Sequence, residues 1–440
     1  MSKLDRRIVI TGLGVVSPIG CCADSLWQSL EQGSSGIGPL QRVPPDHLKS
    51  KVAGEALGFS GSIDDFGELD KKTKRSLKKG LKLMCREIQM GVAAAQLALS
   101  DSQLSPEVYD AHRIGTMFGS DYIITEPTEF IRSVKNCLDE NHQFDVNQWG
   151  ERGISQVEPL WLLKYLPNMP ASHVAIYNDL RGPSNSLTVR EASANLAVAE
   201  AATIIGRDIA DYMVVGATGS RIHLLRTLHV SLQESLADAS DPRYGNQPER
   251  ASRPFDKDRG GMVLGEGAGS VILESLETAQ SRGAEILGEV IGYGSTSVAD
   301  RAGVADYQQA FKNVLTRVLE SAEITPAELG HINTHGLGTL RCDREEALAI
   351  REIVGEQVPL VSLKGHMGNL GAGSGLVEMN ASLLSLKQGR LFRALNYDKP
   401  DPDCPVNLVT EGDVDPGKVF INLSMSMQGQ ASAVAIRKFQ

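Results

Sequence analysis

The chain has 440 residues, of which 41% are hydrophobic and 22% are charged, and this composition excludes disordered, collagen-like and polytopic membrane proteins. The length predicts two or three domains, or one large duplicated one. A formal net charge of -10 argues against a surface devoted to nucleic acid, so we expect no nucleic-acid partner.

The cysteine content and the N-terminus predict a cytoplasmic protein. Six cysteines in 440 residues form neither CxxC pairs nor the density of a disulfide scaffold. Lys3, Arg6 and Arg7 precede an apolar stretch at 8–20 that superficially resembles an export signal, but glycine, proline and hydroxyl residues interrupt it. No apolar stretch reaches 18 residues, so we expect no membrane span.

The predicted elements alternate between strand and helix. A buried strand over 7–14 runs into a glycine turn, and a helix follows with Asp24 or Ser25 as its N-cap. This alternation predicts an α/β protein with mostly parallel sheets covered on both faces. The further strands are predicted at 113–119, 212–216, 269–273, 287–292, 331–334, 360–363 and 419–422, and the helices at 90–100, 192–205, 307–321, 344–353 and 376–387.

The order of these elements indicates a duplication. One cycle of strand, turn, helix and strand runs to about residue 275, and a shorter one runs from about 285 to the end. We therefore predict an N-terminal half over 1–275, with cap insertions at about 40–110 and 120–180, and a C-terminal half over 276–440.

Two motifs resemble ligand sites, but the secondary structure predicted around them excludes those sites. The glycine motif at 265–269 is followed by a predicted strand, whereas a dinucleotide fingerprint requires a helix there. His331 and His335 have the spacing of zinc ligands on a helix, but on the predicted strand they would lie about 13 Å apart. We expect no metal site.

Three turns that follow strands carry residues suited to chemistry. Glu191 stands at the start of an alanine-rich helix, where the helix dipole suits an anion or a nucleophile, although glutamate is also an ordinary first-turn residue. His335 lies in Asn-Thr-His-Gly at a strand end, and Lys364, Asn369 and Glu378 lie in the glycine-rich third turn. Each alone is compatible with simple turn chemistry.

Together, these turns resemble the active-site signature of the β-ketoacyl-[acyl carrier protein] synthases of the thiolase superfamily, in the elongating, synthase II-like branch. The resemblance begins at 8–20, continues through 113–120 and 182–184, and is strongest at 252–269. It implies two βαβαβαββ halves in a five-layer αβαβα arrangement, usually dimeric. It also implies an acyl carrier protein as partner, which brings its own 4'-phosphopantetheine, so that the chain needs no cofactor of its own.

The resemblance assigns the catalytic positions residue by residue. The nucleophilic cysteine of the family falls on Glu191, and its first histidine matches His335. Lys364 and Glu378 match their family counterparts, but the second histidine falls on Asn369. The cysteine and one histidine are therefore predicted to be missing.

The predicted substrate-binding positions are also altered. Of the two threonines that contact the pantetheine arm in the family, one becomes Leu337 and one remains as Thr339. The glycine-rich gating loop corresponds to 425–431, where Met425 and Met427 take up gate positions and Gly429 alone keeps its glycine.

These replacements imply that the chain cannot condense acyl groups by itself. Condensation needs a thioester on cysteine, because a thiolate is both nucleophilic and a good leaving group, and glutamate is neither. We predict an accessory subunit like the chain-length factors of polyketide synthases, either as a homodimer or as a heterodimer with a cysteine-containing ketosynthase. A buried Glu191–His335 ion pair would then be a relic of the former site.

Two catalytic alternatives remain open from the sequence. A protonated Glu191, with His335 and Asn369 donating hydrogen bonds to a developing enolate, would allow decarboxylation of a malonyl group on the carrier protein. Glu191 and His335 could also form an acid/base pair that hydrolyses or dehydrates an acyl thioester.

A dense basic run at 71–82 stands out in this acidic chain. The resemblance places it where the family docks the acidic helix of acyl carrier protein, and charge complementarity would steer such a partner. The alternative is a solvated helix face. The predicted docking residues are Lys71, Lys72, Lys74, Arg75, Lys78 and Lys79.

Overall fold

The structure, a computed structural model, describes residues 6–46, 48–105, 107–238 and 240–439. Lys3 of the N-terminal basic stretch lies outside the described residues. The strands are β1 Ile8–Val16, β2 Ile37–Pro39, β3 Val52–Gly54, β4 Ile114–Ser120, β5 Ser184–Leu187, β6 Tyr212–Ser220, β7 Leu264–Ser275, β8 Gly288–Ser297, β9 His331–Asn333, β10 Leu360–Val361, β11 Val419–Met425 and β12 Gln430–Arg437. The helices are α1 Ala23–Gln32, α2 Lys71–Gly80, α3 Arg86–Asp101, α4 Ile131–Asn136, α5 Met169–Asn178, α6 Ser193–Gly206, α7 Leu224–Gln233, α8 Leu276–Ser281, α9 Tyr307–Ala322, α10 Leu340–Ile353, α11 Lys364–Met367 and α12 Ser374–Gln388.

The strand order shows the duplication directly. The main path runs β10-β9-β11-β12-β8-β1-β7-β6-β4-β5. In the first half β1 pairs antiparallel with β7 and β7 with β6, and β6-β4-β5 are parallel. The second half repeats this pattern, with β8-β12-β11 antiparallel and β11-β9-β10 parallel. The two halves meet in a short antiparallel pairing of β1 with β8.

The helices and the two sheet halves form five layers. Helices α6 and α12 contact strands of both halves and fill the middle layer. Helix α3 covers the outer face of the first half and α9 with α10 that of the second. Three large hydrophobic clusters fill the spaces between layers, as burial of apolar surface requires. The predicted fold class is confirmed.

The glycine motif at 265–269 lies inside β7 and serves packing. A Cβ atom on Gly269 would stand 2.7 Å from the backbone of Leu376 on α12, and one on Gly265 would stand 2.7 Å from Leu370. Only glycine permits this close approach of strand and buried helix. The strand is therefore longer than the predicted 269–273.

The predicted N-cap of α1 is wrong. The helix begins at Ala23 and Cys22 is its cap, with Asp24 already in the first turn. The Ser25 hydroxyl accepts a hydrogen bond from the backbone N–H of Cys22 at 3.1 Å, so Ser25 closes the turn from its third helical position.

Residues 121–181 form a cap of short turns with α4 and α5. An aromatic cluster organises it: the ring of Phe130 lies 4.9 Å from that of Trp161 and 6.4 Å from that of Trp149. Across the described ranges no helix is long and apolar enough to cross a membrane.

Candidate active site

The first two of the three turns line one cavity of about 300 Å³, and the third turn lies outside its wall. Five predicted site residues line it: Glu191, His335, Thr339, Met425 and Met427. Lys364, Asn369, Glu378 and Gly429 lie outside its wall. The remaining wall consists of Gln233, Glu234, Ser235, Gly260, Tyr307, Leu337, Leu340, Arg341, Cys342 and Ser426.

Glu191 is buried in a tight turn that leads straight into α6. The turn, Arg190–Ala192, is a 3-10 segment, and Arg190 adopts a positive φ of 51°. The Ser193 hydroxyl accepts a hydrogen bond from the backbone N–H of Val189 at 2.8 Å and so fixes the turn. Glu191 is 4% exposed, and its carboxylate stands at the N-terminal end of the middle-layer helix.

The carboxylate of Glu191 is paired with Arg221 rather than with His335. It accepts hydrogen bonds from the guanidinium of Arg221 and, at 2.9 Å, from Nδ2 of Asn369. The expected Glu191–His335 ion pair is not formed. Burial raises the pKa of Glu191, but Arg221, Arg190 and the Asn369 hydrogen bond outweigh it and leave the pKa below its usual value.

Arg221 belongs to a buried chain of charges. It follows β6, and Asp121 follows the parallel neighbour β4, so the strand ends bring the two together at 3.4 Å. Asp121 also pairs with Arg226 at 2.6 Å, and Arg226 donates to Glu87 at 2.8 Å. Gly371 leaves room above the pair, because a Cβ atom there would stand 3.0 Å from the Asp121 carboxylate.

Glu87, at the far end of this chain, should give the protein a pH-dependent stability. Burial raises the pKa of Glu87 to about 8, with Arg226 opposing. The stability that its protonated form contributes is fully present below the usual carboxyl pKa of about 4.5 and is lost as pH rises through about 8. Glu87→Gln should therefore flatten the fall in the free energy of unfolding across this range, measured by urea denaturation at a series of pH values.

The exposed Glu320 supplies the control, because Glu320→Gln makes the same substitution at the surface of α9. It should leave the slope of the free energy of unfolding against pH unchanged. Some slope should remain in both variants, since burial also raises the pKa of Glu346 to about 8. An unchanged slope in Glu87→Gln would show that Glu87 is ionised in the fold.

His335 is a buried and neutral imidazole. Its backbone N–H donates to Glu346 at 2.6 Å, and the N–H of Gly336 donates to the same carboxylate at 2.8 Å, which fixes the turn after β9. Burial, and then Lys364 and Arg221, hold the pKa of His335 well below its usual value. Neither ring nitrogen has a hydrogen-bond partner among the residues that the structure describes.

Lys364 and Glu378 form a buried ion pair behind the cavity. The ammonium of Lys364 donates to Glu378 at 2.6 Å and to the backbone carbonyl of His335 at 2.6 Å. Burial raises the pKa of Glu378 against the opposing effect of Lys364. The pair ties the turn of His335 to helix α12, so both residues position His335 and do not face the cavity.

The Asn369 amide group is fully engaged. Its Nδ2 donates to Glu191 and contacts the sulfur of Met262 at 2.9 Å, while its Oδ1 accepts from the N–H of Gly371 and the hydroxyl of Ser374. The sequence predicted Asn369 as a donor toward substrate. In the structure the side-chain N–H of Asn369 donates to Glu191 instead.

The predicted gating loop is a tight hairpin turn between β11 and β12. Ser426 N–H donates to the carbonyl of Gln430 at 2.8 Å, and Tyr307 OH donates to the carbonyl of Met427 at 3.0 Å. Gly429 has a φ of 82°, and a Cβ atom there would stand 2.3 Å from the carbonyl of Val298. Gly429 therefore shapes the turn that places the two methionines in the cavity wall.

Thr339 caps the start of α10 at the cavity rim. Asp343 fixes the loop before it, because its carboxylate accepts hydrogen bonds from the N–H groups of Gly338 at 3.0 Å and Phe255 at 2.8 Å. Burial raises the pKa of Asp343 to about 6.

The basic run forms helix α2, capped by Asp70. Leu77 and Gly80 face the interior, and the six predicted docking residues are exposed. Lys74 alone among them forms an ion pair in the described ranges, with Asp64 at 2.8 Å, and both side chains of that pair are largely solvated. The helix thus presents a nearly unbroken basic face.

Sequence reasoning missed Arg221 and Glu234. Arg221 comes directly after a strand that is buried throughout, and a charged residue there was the available signal. Glu234, at the end of α7, lines the cavity, but nothing in its sequence context marks it. In the parts of the chain that the structure describes, no His, Cys, Asp and Glu side chains cluster to hold a metal ion.

Family models match most of the chain. The beta-ketoacyl synthase N-terminal domain matches residues 5–279, and the corresponding C-terminal domain matches 287–398. The chain belongs to the beta-ketoacyl synthase family. The resemblance found in the sequence is thereby confirmed.

Full-length relatives of this beta-ketoacyl synthase family member are named 3-oxoacyl-[acyl-carrier-protein] synthase 2. The protein from Synechocystis sp. is 30% identical over 453 residues, covering 100% of both chains. That from Staphylococcus aureus is 30% identical over 442 residues, covering 99% of each.

Solved structures of ketosynthases share the fold. A type II polyketide synthase ketosynthase in complex with its acyl carrier protein superposes with a TM-score of 0.83 at 24% identity, covering 99% of this chain and 100% of that one. The ishigamide ketosynthase/chain length factor gives 0.82 at 23% identity, with the same coverage.

Proposed function

We propose that this chain is an accessory, chain-length-factor-like subunit that binds acyl groups on acyl carrier protein and cannot condense them alone. The observation that carries the proposal is the state of Glu191. At the position where the resemblance places the nucleophilic cysteine, the chain has a buried carboxylate held by Arg221 and Asn369.

An ionised, paired carboxylate opposes each step of condensation. It forms no stable acyl thioester, and its negative charge occupies the region where an oxyanion would develop. It also repels the carboxylate of a malonyl group. The cavity nevertheless remains open beside it, which supports binding of an acyl group without its transfer.

The catalytic alternatives receive less support from the same contacts. Decarboxylation requires a protonated Glu191, whereas Arg221 lowers its pKa. Asn369 donates to Glu191 rather than into the cavity. An acid/base pair for hydrolysis or dehydration requires Glu191 and His335 to share a proton, but no hydrogen bond joins them.

A partner subunit is part of the proposal. Strand β5 pairs with β4 along one edge, and its other edge has no strand beside it in the described residues, with Ser184 and Asn185 exposed. An open edge of this kind pairs readily with another chain. We place a second subunit there, either another copy or a cysteine-containing ketosynthase, the latter in line with the ketosynthase/chain length factor among the structural neighbours.

Helix α2 is the proposed docking surface for acyl carrier protein, since a ketosynthase of similar fold carries such a protein in its complex. Reversing two charges with Lys78→Glu and Lys79→Glu should weaken carrier-protein binding on the order of tenfold at low salt, because electrostatic steering is lost. Titration calorimetry with the carrier protein measures this.

The matched control is the pair Lys418→Glu and Lys438→Glu, two exposed lysines on adjacent strand ends of the second half. This variant changes the net charge equally and should bind as the unmodified chain does. Equal weakening in both variants would show that overall charge, and not α2, attracts the carrier.

Co-expression with a cysteine-containing synthase of the same pathway tests the proposed role. We expect a stable heterodimer whose 3-oxoacyl products change in chain length when Met425 and Met427 are replaced by alanine. Isolation of the chain without the synthase, together with unchanged products, would contradict the accessory role.

A further inference from the structure

The cavity has an acidic side with one free carboxylate. Glu191 and Glu234 both line the wall. Glu191 is paired with Arg221, but the carboxylate of Glu234 has no hydrogen bond or ion pair with any residue that the structure describes. Glu234 is partly buried at the end of α7, so water does not fully compensate its charge.

Among the described residues of the wall no cation is free to balance it, and the charge of Arg190 acts on Glu234 from outside the wall. Arg341 is the basic residue of the lining, and it donates to Glu345 at 2.7 Å and to the carbonyl of Ala305 at 2.6 Å. Its guanidinium also stacks on the ring of Tyr307 at 4.9 Å. Arg221 lies behind the wall, between Glu191 and Asp121.

His335 supplies a second unsatisfied group. The side chain is 2% exposed and lines the cavity, yet neither ring nitrogen is hydrogen-bonded within the described ranges. A neutral imidazole offers one acceptor nitrogen. Buried polar groups without partners are uncommon, and at a cavity wall they indicate where a ligand donates.

The rest of the wall is largely apolar. Leu337, Leu340, Met425 and Met427 form a surface suited to an alkyl chain. Methionine side chains adapt their shape to such ligands. The cavity thus combines an apolar channel with acceptors and a negative charge.

We propose that this cavity binds an aliphatic ammonium group, held by Glu234 and His335, with its alkyl chain along the leucine and methionine wall. An ammonium ion has three donors and a positive charge, which match one free carboxylate and one acceptor nitrogen. The ligand is a free alkylamine or the amino end of an acyl chain on a carrier. The inference rests on the cavity alone and does not depend on a synthase partner.

The titration of Glu234 supports this assignment. Burial and the charge of Glu191 raise its pKa to about 6, Asp121 acts in the same direction, and Arg221 and Arg190 oppose them. Glu234 therefore takes a proton below about pH 6, where ammonium binding should weaken, and offers a carboxylate above it.

Titration calorimetry on the full chain with hexylammonium, hexanol and hexanoate tests the proposal. At about pH 8 hexylammonium should bind about tenfold more tightly than hexanol, in keeping with a charge-assisted hydrogen bond in a partly buried site. Hexanoate should bind more weakly than hexanol. Glu234→Gln should remove the preference for ammonium, and the surface variant Glu320→Gln should retain it.

Binding of aminohexanoyl-pantetheine, with hexanoyl-pantetheine as its control without an amino group, distinguishes a carrier-bound chain from a free alkylamine as the ligand. Tighter binding of the amino thioester than of hexylammonium assigns the site to a carrier-bound chain, and the reverse assigns it to a free amine. Equal or tighter binding of hexanol or hexanoate, or an undiminished ammonium preference in Glu234→Gln, would overturn the proposal.

Discussion

Replacing Arg221 by methionine is expected to lower the free energy of unfolding by about 3–5 kcal/mol, because it leaves buried carboxylates without their cation. Arg221 is fully buried and pairs with both Glu191 and Asp121. Asp121 keeps its ion pair with Arg226, whereas Glu191 keeps no ion pair and has only the Asn369 hydrogen bond and the nearby charge of Arg190. The loss should therefore fall chiefly on Glu191.

Urea denaturation of Arg221→Met beside Arg351→Met measures this effect. Arg351 pairs with Glu356 at the surface, with both side chains 54% exposed, so its loss should cost less than about 1 kcal/mol. Adding Glu191→Leu to Arg221→Met should recover much of the stability, because the stranded carboxylate is removed as well. Equal stabilities for the two arginine variants would contradict a buried pair at the centre of the site.

Introducing a thiol at the predicted nucleophile position is expected to create a reactive group. In Glu191→Cys the new side chain stands at the start of α6 beside Arg221, and both features favour a thiolate. Alkylation by iodoacetamide should then be at least roughly tenfold faster than that of the native cavity thiol. Mass spectrometry of the digested protein follows each site.

Cys342 is the internal control, because it lines the same cavity but burial, followed by Glu346 and Asp343, raises the pKa of its thiol well above the usual value. Incubation of Glu191→Cys with an acyl thioester should leave an acyl group on the same site. Similar alkylation rates at both positions would show that Arg221 does not act on the side chain at 191.

The fold was predictable because its signals are local and repeated. Buried strands such as 212–216 and the alanine-rich helix after Glu191 carry clear periodicity, and their alternation indicates the layers. The boundaries were less predictable. Cys22 replaces the expected cap of α1, and β7 extends through the glycine motif because α12 packs against it.

The site was predictable only where a residue type was tied to a motif. Glu191, His335 and Thr339 lie together around the cavity, as the first two of the three turns indicated. The partner of Glu191 was not predictable, because Glu191 follows β5 and Arg221 follows β6, and these strands come together only as the two neighbours of β4 in the sheet. The spacing of residues in the sequence cannot show whether Arg221 or His335 contacts the buried carboxylate of Glu191.

The accessory role is tested most directly by intact-mass spectrometry of malonyl and acyl carrier proteins incubated with this chain alone, with Glu191→Ala and His335→Ala as controls. If the chain is an accessory subunit, both carriers keep their masses, with no loss of carbon dioxide, no hydrolysis and no 3-oxoacyl product. Conversion of the malonyl carrier to the acetyl form that depends on Glu191 and His335 would establish a decarboxylase and contradict a purely accessory role.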